Sequence, residues 1–265
     1  MVARTFCPGG VHFDGLSSLV NASMTSADSS LVTVSMWFKA GQTQVNTQAT
    51  FLECNPDSYS MKALWLSAGV LQMSFANPTG SPGGLDIFQL TGMSEPDYFD
   101  GAWHNWLVSA NMSSSSPSGK IGAMIVDGVD KTGTKNSFGS VPGVLTMTGL
   151  PFYIATDTFG DEYTGDMMEV WVMPGLNILT GSTIAPADIA KFYDGACPVD
   201  LGTNGEIPTG SPPPIYLRRG PSDPASAFLT NQGTGGNFSI NAGSLTTAEG
   251  PCACSGGQTG QGYVF

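Results

Sequence analysis

Apolar and polar residues alternate along most of the chain between Leu31 and Met173. In LVTVSMWFKA, residues Val32, Val34, Met36 and Phe38 fall on one face. KALWLSAGVLQMSFA reads as two strands folded at Ser67-Ala68-Gly69. Leu64 and Leu66 then share a face, as do Leu71, Met73 and Phe75. HNWLVSANM and GKIGAMIVDG follow, separated by the polar stretch SSSSPSG, and PFYIATD and MMEVWVM complete the series. A period of two marks a strand, and many short strands with turn residues at regular spacing predict an all-β sandwich.

One segment has helical spacing instead. PADIAKFYDG sets Ile189, Phe192 and Tyr193 on one helical face, with Pro186 in the first turn and Gly195 past the end. After Cys197 the pattern weakens into PVDLGTNGEIPTGSPPP, a Gly/Pro-rich connector, then IYLRRG, which reads as one more strand. The division expected is a sandwich over residues 1–200 and a Gly/Pro-rich arm over 201–265. The arm is too poor in large apolar residues to form its own core, so it packs either on the sandwich or on a neighbouring subunit.

Composition narrows the function. Charged residues are 11% of the 265 positions, with 35 Gly and 18 Pro, so the surface is one of hydroxyls and amides. The net charge is −12 with only nine Lys and Arg. No basic stripe can form, which argues against nucleic acid and against anionic membrane surfaces. MVARTFCPGGVHFDG lacks the apolar run of a secretory signal. The five cysteines, Cys7, Cys54, Cys197, Cys252 and Cys254, lack paired CxxC spacing. They read first as reduced thiols, with a Cys7–Cys197 bridge as the alternative.

The order of motifs resembles laminin-G-like, concanavalin A-like jelly rolls. VHFDGLSSLVNAS resembles their opening strand, and LVTVSMWFKAG their "FTVSAWVK" strand. FDGAWHNWLVS is similar to "DGKWHHVAVS", IGAMIVDGVD to the "LYVDGV" hairpin, and YTGDMMEVWVMPG to "FTGYIDEVRIYNR". IAPADIAKFYDG resembles the closing helix. The tail from Pro214 to Pro251 is similar to endings of laminin-G-like proteins of tailed bacteriophages. The resemblance implies a jelly-roll sandwich of two antiparallel sheets, with one short helix and a C-terminal arm. It also implies that Trp103 fills the core while His104 faces the other way, as a hydrogen-bonded structural residue.

Candidate chemistry is sparse. A retaining glycosidase needs two carboxylates about 5–5.5 Å apart. Asp166 and Glu169 are the best pair, and on a regular strand they face opposite ways. No GxSxG elbow accompanies His12 or His104. No catalytic residue and no required cofactor is therefore expected. The resemblance brings in rim calcium, for which Asp157, Asp161 and Glu162 are the candidate ligands. Glycan binding needs aromatics beside amides or carboxylates. Tyr59, Tyr98, Phe99, Phe159 and Tyr163 fall in expected loops, as sugar platforms or as lids over the core.

The first expectation is a non-enzymatic bacteriophage virion protein, in head decoration, spike or fibre, made in the host cytoplasm. Its partners would be capsid or tail proteins and copies of itself, met through Arg218, Arg219, Phe228 and Phe238. The alternative is a carbohydrate-binding receptor or adhesion module that touches host-surface glycan. A glycoside hydrolase ranks third.

Overall fold

The computed structural model describes residues 8–40, 48–54, 61–66, 70–76, 86–94, 98, 100–137, 142–157, 160–195 and 197–251, without the side chains of 64–66, 86, 87, 93 and 94. The expected turn at Ser67-Ala68-Gly69 lies outside them, as do Cys7, Cys252, Cys254, Tyr59, Phe99 and Phe159.

The strands are β1 (Gly10–Asp14), β2 (Ser18–Asn21), β3 (Leu31–Ala40), β4 (Ala49–Cys54), β5 (Met61–Leu66), β6 (Val70–Ala76), β7 (Asp86–Ser94), β8 (His104–Asn111) and β9 (Ile121–Val126). They continue as β10 (Val129–Asp130), β11 (Thr132–Ser137), β12 (Phe152–Ile154), β13 (Thr164–Pro174), β14 (Leu179–Thr180), β15 (Thr183–Ile184), β16 (Ile215–Leu217), β17 (Ser239–Ala242) and β18 (Thr246–Ala248). The first sheet runs β10-β9-β8-β3-β13-β1-β18, with β16 also on β13. The second runs β11-β7-β6-β5-β4-β12-β2-β17. All pairings are antiparallel, and the core lies between the two sheets.

The alternation in sequence becomes the two sides of each sheet. Val32, Val34, Met36 and Phe38 of β3 face the core with Leu71, Met73 and Phe75 of β6. Asp127-Gly128 closes the β9–β10 hairpin with φ of +50° and +76°. A two-residue loop with both φ positive matches the twist of the flanking strands, and Asp-Gly tolerates it. The expected helix is a single turn, α1 (Pro186–Ile189). Ala185 at its N-cap supplies no side-chain hydrogen bond, and past Ile189 the chain continues as turns in which Phe192 N and Tyr193 N both donate to Ile189 O. Phe192 is nevertheless buried, 5.1 Å from the Trp171 ring. With Leu107, Ile125, Ile184, Leu201 and Tyr216 these residues form a second apolar cluster. It roofs one end of the outer face of the first sheet.

Residues 201–251 belong to the same sandwich. β16 pairs with Val170–Val172 of β13, β17 with β2, and β18 with β1. Phe228 and Phe238 are core residues. Asn231 fixes the return of the chain: its Oδ1 accepts from Tyr216 N at 2.8 Å, and its Nδ2 donates to the carbonyls of Pro214 and Gly236 at 2.7 and 2.9 Å. Cys54 is a free buried thiol, which burial and the nearby Glu53 and Asp28 charges push up to about 12. Cys197 is disulfide-bonded, so the reading of uniformly reduced thiols does not hold. No helix among the described residues is long and apolar enough to cross a membrane.

Candidate ligand-binding faces

The unroofed end of the first sheet carries a polar row across four strands. Thr246, His12, Asp166 and Lys39 stand side by side on β18, β1, β13 and β3. His12 Nδ1 lies 2.7 Å from Asp166 Oδ1, and Lys39 Nζ lies 3.5 Å from Oδ2. The carboxylate is therefore held from both sides. The His12 and Lys39 side chains are 42% and 39% exposed, against 14% for Asp166, so their remaining donors meet solvent.

Trp103 lies over the same end of the sheet. It precedes β8 and is half-buried, not in the core. Its indole Nε1 donates to Glu249 O at 3.1 Å. Its six-membered ring lies on Gly10, where an added Cβ would come within 2.8 Å of Cη2. Gly10 thus lets the indole rest on β1, two residues from His12. The core position expected for Trp103 belongs to Trp106, 1% exposed and 5.7 Å from the Phe51 ring.

That shift reverses the expectation for His104. His104 pairs with Phe38, a core residue, and shares the face of Trp106 and Val108. Its ring sits at the rim, 5.7 Å from Phe38 and 5.3 Å from Tyr98. Nδ1 lies 2.7 Å from Asp127 Oδ2, and Nε2 lies 3.3 Å from Asp100 Oδ1. Burial disfavours the imidazolium, but the two carboxylates outweigh it and raise the pKa above the ordinary value. His104 clamps the turn before β8 to the turn after β9. Its structural, hydrogen-bonded character is as expected; its direction is not.

The acidic loop does not gather as a calcium site. Asp157 Oδ2 accepts from the buried Lys62 ammonium and, at 2.9 Å, from Thr50 Oγ1, while Oδ1 accepts from Asp161 N at 3.0 Å. Asp161 Oδ2 is 3.8 Å from the same ammonium. Burial opposes ionisation of Asp157, but Lys62 and these hydrogen bonds hold it below the usual carboxylate range. Burial and the Asp157 charge raise Asp161. Among the described residues, no group of three or more His, Cys, Asp or Glu is arranged to hold a metal, Glu162 included. Asp157 is paired with a cation of the chain's own, and Asp161 lies 3.8 Å from the same ammonium, so these two carboxylates are turned to Lys62 and the donor set does not fit calcium.

The four residues expected at a subunit interface are bound within the chain. Arg219 donates to the carbonyls of Gly10, Pro221, Asp223 and Ala248, so its guanidinium ties the arm to β1. Arg218 donates to Gly202 O at 3.0 Å and lies 3.7 Å from Asp200. Phe228 and Phe238 are 0% and 5% exposed. Each finds its partners within the same chain because the arm folds onto its own sandwich.

Glu169 sits at a bulge. The β13–β3 register slips between Met168 and Trp171, and Glu169 adopts φ of +51°. The carboxyl is 2% exposed and accepts from Tyr216 OH at 3.0 Å. Burial pushes it up to about 8, opposed by Tyr216 and Arg218. The bulge breaks the alternation expected for the Asp166–Glu169 pair. Asp166 stays in the open row, while Glu169 is sealed beneath Tyr216.

The outer face of the second sheet carries a longer row. Ser239, Val20, Tyr153, Glu53, Lys62, Ser74, Gln89 and Asn136 are cross-strand neighbours from β17 to β11. The middle is buried, with Glu53, Lys62 and Ser74 at 0%, 5% and 2% exposure. Gln89 and Asn136 are half-buried, as is Gln72 of the adjacent row. Of the loop aromatics weighed as platforms, Tyr98 and Tyr163 are core residues. The sequence reading passed over Lys39, Lys62, Gln72, Gln89 and Asn136. The polar beats of GVLQMSFA and DIFQLTG were the available signal.

No known family model matches the chain, and neither does any curated protein sequence. Among solved structures it is similar to the native heptameric SAP-like pentraxin from Limulus polyphemus, with a TM-score of 0.56 and 11% identity over 96% of this chain and 100% of that one. It is similar to a candidate carbohydrate binding protein from Bacteroides ovatus, with a TM-score of 0.55 and 14% identity over 94% of this chain and 62% of that one. Mouse laminin α1 domains LG4-5 match at a TM-score of 0.43 and 11% identity, over 64% and 42% of the two chains. The fold is a laminin-G-like, concanavalin A-like jelly-roll sandwich. At such identities the likeness concerns fold alone.

Proposed function

We propose that the chain is a non-enzymatic carbohydrate-binding module whose site is the open end of the first sheet. The observation that carries this reading is Trp103, laid half-exposed on Gly10 beside the row His12–Asp166–Lys39. A pyranose has an apolar C–H face and a rim of hydroxyls. An indole face accepts the first, and a carboxylate flanked by ammonium and imidazole donors suits the second. The Bacteroides neighbour, described in terms of carbohydrate binding, is consistent with this. Catalysis is left out because Glu169 is sealed under Tyr216 and Asp166 is engaged by His12 and Lys39.

Placement on a virus particle rests on the low charge and on the resemblance of the tail, and none of the solved structures named above adds to it. The arm residues that were to reach a neighbour are bound inside this chain, which removes the stated reason for a homo-oligomer. A virion component touching host glycan would need the same module, so the two readings part only on where the protein sits. A glycan array tests the proposal: Trp103→Ala should lose the glycans held at the indole site while the chain stays folded. An array on which the wild-type chain binds no glycan overturns it.

A further inference from the structure

A second surface has the chemistry of a ligand site and lies on the opposite side of the sandwich. At the β6-β7-β11 end of the second sheet, Gln72, Ser74, Gln89 and Asn136 are joined by hydrogen bonds, with Thr91 and Thr134 beside them. Gln72 Nε2 donates to Ser74 Oγ at 2.8 Å, and Gln89 Nε2 donates to the same oxygen at 3.3 Å. Asn136 Nδ2 donates to Gln89 Oε1 at 3.0 Å. Thr91 pairs with Gln72 across β6 and β7, and Thr134 pairs with Thr91 across β7 and β11. Gln72, Gln89, Thr91 and Asn136 are half-buried, and Thr134 is exposed.

We infer that this amide ladder is a second glycan site, for neutral sugar chains, and that one chain therefore holds two glycans facing opposite ways. None of these side chains is charged or aromatic, so the ladder lacks the ring platform expected of a glycan site, and recognition there rests on hydrogen bonds alone. A primary amide has two donors and a two-lone-pair acceptor, more than the bonds within the ladder use at Gln72 and Asn136. Sugar hydroxyls both donate and accept, and so match such a surface. The mutual bonds fix the amide rotamers before a ligand arrives, which lowers the ordering cost of binding. The ladder crosses three adjacent strands about 4.8 Å apart, so a sugar chain lying across them meets one amide or hydroxyl per strand. The Trp103 site is on the outer face of the other sheet, with the core between them.

The inference rests on the carbohydrate reading of the Trp103 site, and one experiment separates the two. Neutral hexasaccharides of glucose, galactose and mannose are titrated by calorimetry into the full chain, Trp103→Ala, Gln89→Ala/Asn136→Ala, and the combination of all three. Asn136→Ala alone, at the edge strand, serves as the milder ladder variant, and melting temperatures report folding. Two glycans per wild-type chain are expected, one for Trp103→Ala, one for the ladder pair, and none for the combination, with Asn136→Ala weakening its site at least tenfold. One glycan per wild-type chain, lost in Trp103→Ala and untouched by both ladder variants, overturns the second site and leaves the first standing. Binding by the wild-type chain that only the ladder variants remove overturns the Trp103 reading instead, and with it the pair of sites. No binding of any hexasaccharide by the wild-type chain overturns both.

Discussion

Glu169→Gln should stabilise the protein, and by an amount that depends on pH. The carboxyl is buried at the β13 bulge and titrates at about 8, against an ordinary 4.5. Below pH 4.5 both folded and unfolded chains hold the proton, and the group contributes no pH dependence. Between 4.5 and 8 the unfolded chain releases it while the folded chain retains it, so stability falls as pH rises. Above 8 the loss is complete. At 1.36 kcal/mol per pH unit the full difference is about 5 kcal/mol, an upper bound because the surroundings relax around a buried charge. Glutamine keeps the shape and still accepts from Tyr216 OH, but it cannot ionise. Urea unfolding of wild type and variant at pH 4, 6 and 8.5 reads the effect directly. The two should be nearly equal at pH 4, with the variant progressively ahead at 6 and 8.5. Parallel stability curves across that range would refute the sealed, protonated carboxyl.

Trp106→Ala should cost about 3–5 kcal/mol in unfolding free energy, the range for a large buried aromatic, while Trp103→Ala should cost far less; equal losses would restore Trp103 to the core. His104, raised by Asp127 and Asp100, contributes stability that is present below its unfolded pKa and lost as pH rises through the folded one. His104→Ala should therefore destabilise more at pH 5.5 than at pH 9, and a pH-independent difference in denaturant midpoint would argue against the two-carboxylate clamp. Truncation at Gly205 removes Ile215, Leu217, Phe228 and Phe238 from the core, each worth about 1.5–3 kcal/mol when fully buried. The truncated chain should lose its cooperative unfolding transition, and a folded product would show that the arm is an accessory.

Legibility in the sequence followed how local the cause was. The face of β3 follows from alternation alone, and the β9–β10 turn from Asp-Gly, because each is decided within a few residues. Trp103 was misplaced because the strand after Asp100-Gly101 starts at His104, and a one-residue error in strand phase turns every side chain to the other face. Glu169 hid for a related reason. A bulge with a non-glycine at positive φ leaves no compositional mark, and only the surrounding packing holds it there. The arm is the non-local case. Its short strands have too little apolar pattern to announce partners in β1, β2 and β13, and Arg219 is satisfied by carbonyls up to 209 positions away. The open row His12–Asp166–Lys39 needed three strands in register, which no single stretch of sequence contains.

The most direct test of the account is the affinity of one site measured with and without its aromatic. Calorimetric titration of neutral hexasaccharides into the wild-type chain should give specific binding at about micromolar strength, near −8 kcal/mol. In Trp103→Ala the high-affinity phase should weaken at least tenfold, with the melting temperature held. Equal affinity in both proteins would contradict the Trp103 site, and a wild-type chain that takes up no glycan would contradict the claim that this sandwich is a carbohydrate-binding module.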